Sequence, residues 1–178
     1  MPWTRFLGAY RAGDDAVAVA ELRRFIRTWD EAFWANDFSY FPCVYTEDVV
    51  LTNRSRLQML IGPGPQSGID GFARLREDLA DAARFFRFDV EELRRASGNR
   101  VVALGQLRVR SRYAGLILRT GFATVWTLRG DKICRAEGFS SRRTALREAG
   151  LGTGSAEEEE ESDERGSVHD VDDHHDLG

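Results

Sequence analysis

Asn53, in "EDVVLTNR", and Glu137, in "KICRAEGF", are polar groups set among apolar residues in stretches that read as strands. An amide such as Asn53 can position a ligand or a water, but it takes up no proton near neutral pH. A carboxylate enclosed by apolar groups holds its proton to higher pH and can then act as acid or base. Cys134 would need to ionise before it could attack anything, and no histidine stands near it to help. It reads as a packed thiol. Asp48, at the start of its strand, reads as a turn or capping residue. All three histidines, His169, His174 and His175, lie in the last ten residues. The part of the chain able to fold therefore lacks the commonest general base. "HDVDDHHD" offers imidazole and carboxylate ligands, yet its spacing fits no defined site, so no metal and no cofactor is expected.

Which of these groups could meet depends on the strands that carry them. Successive strand side chains face opposite sides, so Cys134, Ala136 and Gly138 point one way and Ile133, Arg135, Glu137 and Phe139 the other. Simple alternation aims Glu137 away from the small residues, toward Arg135 or a partner subunit; a bulge would turn it inward. In "GLILRTGFATVWTLR", Leu118, Thr120, Phe122, Thr124 and Trp126 share a face, as do Val101, Ala103, Gly105, Leu107 and Val109 in "RVVALGQLRVRSR". With Cys134, Ala136 and Gly138 they make an apolar surface with small residues at one end. That room suits either a ligand or a closely packed helix.

The helix that would face it begins after Asp14 and carries Leu22, Phe25, Ile26, Trp29 and Phe33 at helical spacing. Asp37 can cap a short helix through "FSYFPCVY", with Pro42 in its first turn. "LIGPGPQSG" is a loop by composition, and Asp70 opens a second amphipathic helix through Phe72, Leu75, Leu79 and Ala82. From "FFRFDVEELRR" onward the chain reads as an antiparallel meander, closed by a helix in "RRTALREAG" capped by Ser140 or Ser141. Helices followed by a run of strands define an α+β fold.

The opposite sheet face would carry Arg108, Arg110, Arg112, Arg119 and Arg135 beside Val125, Ile133 and Phe139. Such a mixed face suits self-association, and a two-fold homodimer through it is expected. It offers no stacking platform or groove-reading helix, so nucleic acid is not the expected partner. No run of residues is long and apolar enough to span a membrane, and the N-terminus lacks the apolar centre of a secretory signal. With only Cys43 and Cys134, far apart in sequence, a cytoplasmic location is expected. The net charge of −4 divides unevenly, with −10 on residues 156–178 and +6 on the rest. We expect an N-terminal extension over 1–13, one domain over 14–151 and a disordered acidic tail over 152–178.

Three segments, "DFSYFPCVYTEDVVLTN", "SGIDGFARL" and "ATVWTLRGDKICRAEGFSSRRTALREAGL", resemble the SnoaL-like branch of the nuclear-transport-factor-2-like superfamily. The resemblance covers about Asp14 to Leu151. It implies a cone of three to four helices packed on a curved antiparallel sheet around a pocket, a frame that serves isomerases, cyclases, hydrolases, dehydratases and binding modules alike. Laid on ketosteroid isomerases, Asn53 falls at the catalytic base, Trp29 at the oxyanion tyrosine and Thr124 on the later strand, and none of the three keeps its chemistry. Limonene-type epoxide hydrolases share an asparagine at the position of Asn53. Their tyrosine, however, would be Leu51 and the acid of their last strand Gly138, and no carboxylate occurs between Val101 and Gly130.

The expected function is a cofactor-free domain that binds a small apolar molecule through Trp29, Phe33, Asn53, Phe122, Thr124, Trp126, Ala136 and Gly138. It could work as a cyclase or isomerase on polyketide-like or terpenoid-like substrates, with Asn53 and Glu137 as the catalytic candidates. The alternative is a non-catalytic dimeric module whose cone is filled by its own aromatics. A void containing a carboxylate would favour the enzyme.

Overall fold

The computed structural model describes residues 1–55, 64–113 and 117–152. The acidic tail with its histidines, the first part of the proline-containing loop and the tip of one hairpin lie outside them. Helix α1 (Pro2–Ala12) opens on a proline, whose missing N–H is no loss at a helix start, and stops at Gly13 in the left-handed conformation, φ 84°. Residues 1–13, expected as an extension, are thus a helix of the core. Trp3, Phe6 and Leu7 are buried, and Trp3 packs edge-on against Trp126 at 6.1 Å. The Trp3 Nε1–H donates to the Asp131 carbonyl at 2.8 Å, which ties α1 to the turn before the last strand. Trp3→Ala is therefore expected to destabilise the domain by about 3–5 kcal/mol, read as a lowered denaturant midpoint.

Helix α2 (Asp15–Ala35) is capped by Asp14, whose Oδ1 accepts from Val17 N at 3.1 Å. It ends at Asn36, one of the few residue types that enter the left-handed region readily. The segment expected as a short helix is a single 3₁₀ turn, Phe41–Cys43, with Pro42 in it. Then follow β1 (Tyr45–Arg54), β2 (Gln66–Ser67), α3 (Ile69–Ala82), β3 (Ala83–Arg95), β4 (Arg100–Ser111), β5 (Ile117–Arg129), β6 (Lys132–Phe139) and α4 (Arg142–Glu148). Ser141 caps α4 by accepting from Thr144 N at 3.2 Å.

The strands form one six-stranded sheet in the order β2-β1-β6-β5-β4-β3. It is not wholly antiparallel, because β1 runs parallel to β6. The chain must cross from the first long strand to the far edge before the meander brings it back, and that return sets β6 beside β1 in the same direction. Helices α1 and α2 lie against one face, with Leu22, Phe25, Val101, Ala103, Leu107 and Trp126 in the shared core.

The other face departs from expectation in three places. Thr127 and Leu128, adjacent on β5, pair with Arg135 and Ile133, which leaves Cys134 as an extra residue in a bulge. Ile133 consequently enters the main core, while the Cys134 thiol donates to the Thr127 carbonyl at 3.4 Å instead of facing the interior. Val125 and Phe139 are buried together with Val102, Leu104 and Ala123 beneath Ala145 and Ala149 of the chain's own C-terminal segment. None of the three apolar residues assigned to a dimer surface is therefore exposed. The support for a homodimer through that face falls with them.

Candidate functional site

Two rows of paired residues lay the floor of the site. Leu51 of β1 pairs with Ala136 of β6, which pairs with Trp126 of β5; one step along, Asn53 pairs with Gly138 and Gly138 with Thr124. Because the central strand contributes only a methyl group and a hydrogen, the flanking side chains stand around a hollow. A Cβ on Gly138 would lie 2.9 Å from Phe122 Cζ and 3.4 Å from Asn53 Oδ1, so the glycine makes the place into which the Phe122 ring leans. Phe122 in turn packs edge-on to Phe88 of β3 at 5.2 Å.

The roof comes from the helices. Trp29 and Ile26 of α2 and Phe72, Leu75 and Leu79 of α3 close over the floor and leave a cavity of about 160 Å³. Trp29, Asn53, Phe122, Thr124, Trp126, Ala136 and Gly138 all line it. Phe33 does not. It is completely buried one layer back, stacked on Trp29 at 4.7 Å and packed against Phe86, so it supports the wall instead of forming it. Glu137 lies on the opposite face, where its carboxylate pairs with Arg135 at 3.1 Å. It is taken out of the cavity by the alternation that holds from Arg135 onward.

The polar groups inside are few. Asn53 Oδ1 accepts from both the backbone N–H and the hydroxyl of Ser55, at 2.8 and 2.5 Å. The oxygen is thus fixed by the chain's own turn, and the amide N–H₂ is the end left to address the cavity. Tyr45, wholly buried beside Trp29, has its hydroxyl pushed far above the ordinary phenol range by burial.

The sequence reasoning missed one carboxyl of the cavity. Asp30 lines the cavity, and its Oδ1 is buried without a hydrogen-bond partner. Burial pushes its carboxyl up to about 7; Arg87 opposes the shift, and Asp89 and Glu31 add to it. The wall is mostly apolar and no hydrogen bond reaches Oδ1, so the charged form is solvated less well than it would be in water. A carboxyl that titrates near neutrality in an apolar hollow can both give and take a proton. One signal could have found it. Asp30 stands four residues after Ile26 and four before Trp34, on the side of α2 that bears apolar side chains.

An α+β domain with helices over one sheet face and a cavity between them is the arrangement of the nuclear-transport-factor-2-like fold. The family model of the SnoaL-like domain matches residues 22–136, and the chain belongs to that family. Among solved structures it is similar to an NTF2-like protein of unknown function from Burkholderia pseudomallei K96243, with 22% identity, 74% of this chain and 96% of that one covered, and a TM-score of 0.55. It is also similar to TerC co-crystallised with polyporic acid, with 21% identity, 67% and 89% coverage and a TM-score of 0.54. A putative isomerase from Rhodopseudomonas palustris aligns at 13% identity over 73% and 95% of the chains, with a TM-score of 0.54. No curated protein sequence matches. Among the described residues no cluster of His, Cys, Asp or Glu is arranged to hold a metal ion, and no helix is long and apolar enough to cross a membrane.

Proposed function

We propose that this SnoaL-like domain binds a small, largely apolar molecule between α2 and the sheet and moves a proton on it, with Asp30 as general acid and base. The reading is carried by one observation: a carboxyl with an unpartnered buried oxygen stands in an apolar cavity and is held near neutrality. Asn53 is a positioning residue, its amide donating to a ligand oxygen while Ser55 fixes its orientation. Thr124 lies two strands away across Gly138 and offers a hydroxyl to the same end of the ligand. Proton transfer without a redox step is the chemistry of isomerases and of cyclases that close rings through enol-type carbanions.

Size limits the ligand. A cavity of about 150 Å³ lined by aliphatic and aromatic side chains is large enough to hold benzene. The 160 Å³ here suits one ring or an equivalent chain within the enclosed part. A void of this size also argues against a cone filled by its own aromatics.

The test is mass spectrometry of small molecules carried through purification by the full-length chain and by Gly138→Ala. Placing a Cβ 2.9 Å from Phe122 Cζ drives that ring into the cavity. We expect a compound retained by the parent and depleted about tenfold in the variant, which corresponds to about 1.4 kcal/mol. Equal retention by both proteins would mean that the compound sits elsewhere.

A further inference from the structure

A second hollow of about 390 Å³ lies between α2 and the edge strand β3, and its lining is of a different kind. Arg23, Arg24 and Arg27 of α2 and Arg87 of β3 stand around it, with Asp89 as the acid among its walls. Their local partners account for most of these cations. Arg23 Nε donates to the Val90 carbonyl at 2.8 Å, which leaves its charge uncompensated while covering the open edge of the sheet. Arg24 pairs with Glu21 at 3.2 Å. Asp89 is shared between Arg87 at 3.3 Å and Arg108 at 2.6 Å, so one carboxylate serves two guanidinium groups. Arg27 has no ion pair or hydrogen bond among the described residues. The hollow therefore carries a surplus of positive charge.

Its position gives the surplus a use. Ile26 and Phe88 line this hollow and the apolar cavity alike, so the two abut along those side chains. We propose that the arginine-lined hollow binds the anionic group, a carboxylate or phosphate, of the molecule whose apolar part occupies the cavity. This rests on the reading of the cavity given above and narrows its ligand to an amphipathic acid. Guanidinium groups suit the task because their planar forks meet carboxylate or phosphate oxygens with two parallel hydrogen bonds. Blunting of the sheet edge explains Arg23, but it gives no role to Arg27, one turn further along α2 and facing the same hollow.

The experiment compares phenylpropanoate with phenylpropanamide, two probes with the same apolar body of which only one is charged. Binding of each to the full-length protein is measured by calorimetry at low and at high salt. We expect the acid to bind at least about tenfold more tightly than the amide at low salt, with the gap shrinking as salt screens the arginines. In Arg27→Gln/Arg87→Gln the gap should close while the affinity for the amide stays within about twofold. Both side chains are solvent-facing, and an unchanged amide affinity shows that the variant is folded. An acid that binds no better than the amide, or a gap that survives the double substitution, overturns the arginine site and leaves the cavity standing. Failure of both probes to bind overturns the cavity reading and this one with it.

Discussion

Asp30→Asn is expected to make the domain more stable above neutral pH while removing its chemistry. The sign follows from the direction of the shift. An acid raised from 3.8 to about 7 binds its proton more tightly in the folded than in the unfolded state. Folding is therefore favoured by protonation, and the native state loses stability as pH climbs from about 4 to about 7, with no further loss from this group above that. At about 1.4 kcal/mol for each unit, the ionised carboxylate costs at most about 4 kcal/mol at alkaline pH. Asparagine escapes that penalty but must still bury an amide, so a net gain of about 1–3 kcal/mol is expected. The check is the difference between parent and variant in denaturant unfolding across this pH range, since surface carboxylates then cancel. Identical profiles would show that Asp30 is as well solvated folded as unfolded. Once the retained compound is known, the same variant should turn it over about a hundred- to ten-thousand-fold more slowly with affinity little changed. A residue that merely filled space would show neither the pH-dependent stability nor the split between turnover and binding.

Stability gained by removing a group is the expected mark of a functional carboxyl, and it explains why Asp30 was hard to see beforehand. A helix is read by the residues that recur on its apolar stripe, and an acid beside that stripe is by default assigned to solvent. Only the packing of β3 against α2, which brings Phe86 and Phe88 over that side, turns the position into an interior one. The residues on the β4–β5 hairpin were legible because the pairing runs without a slip from Val101 opposite Trp126 to Arg110 opposite Ile117. The rule failed at Cys134, where the bulge beside the tight β5–β6 turn adds a residue that no polarity pattern announces. Helix α1 was legible in principle, since Trp3, Phe6, Leu7 and Tyr10 recur at helical spacing. A position ahead of Asp14, where the family resemblance begins, invites reading it as an appendage, whereas Trp3, Phe6 and Leu7 are buried members of the main core.

The two glycines of the inner face look alike in sequence, yet they are expected to respond in opposite ways to the same methyl group. At Gly138 the nearest atom to an added Cβ is Phe122 Cζ, the far end of a side chain with empty space behind it. The ring can move, so Gly138→Ala should cost less than about 1.5 kcal/mol, in keeping with a small overpacking that the structure can relieve. At Gly105 the added Cβ would lie 2.0 Å from the Asp89 carbonyl oxygen, 3.0 Å from its carbon and 3.1 Å from Glu91 N. All three are backbone atoms of the paired strand, at the point where β3 bulges and the pairing jumps from Val90–Gly105 to Glu92–Leu104. Gly105 is thus small so that the neighbouring main chain can fold in over it, not to leave room for a ligand. Nothing there can move aside without breaking the β3–β4 ladder. Gly105→Ala is expected to cost more than about 3 kcal/mol, well beyond the roughly 0.5–1 kcal/mol that a residue with a smaller entropy loss would return. Loss of soluble protein, or a denaturant midpoint far below that of Gly138→Ala, is the expected result. Equal midpoints for the two variants would mean that the β3 bulge does not close over Gly105. Because that bulge directly follows the segment bearing Phe86 and Phe88 along the sheet edge, the wall beside Asp30 depends on it as well.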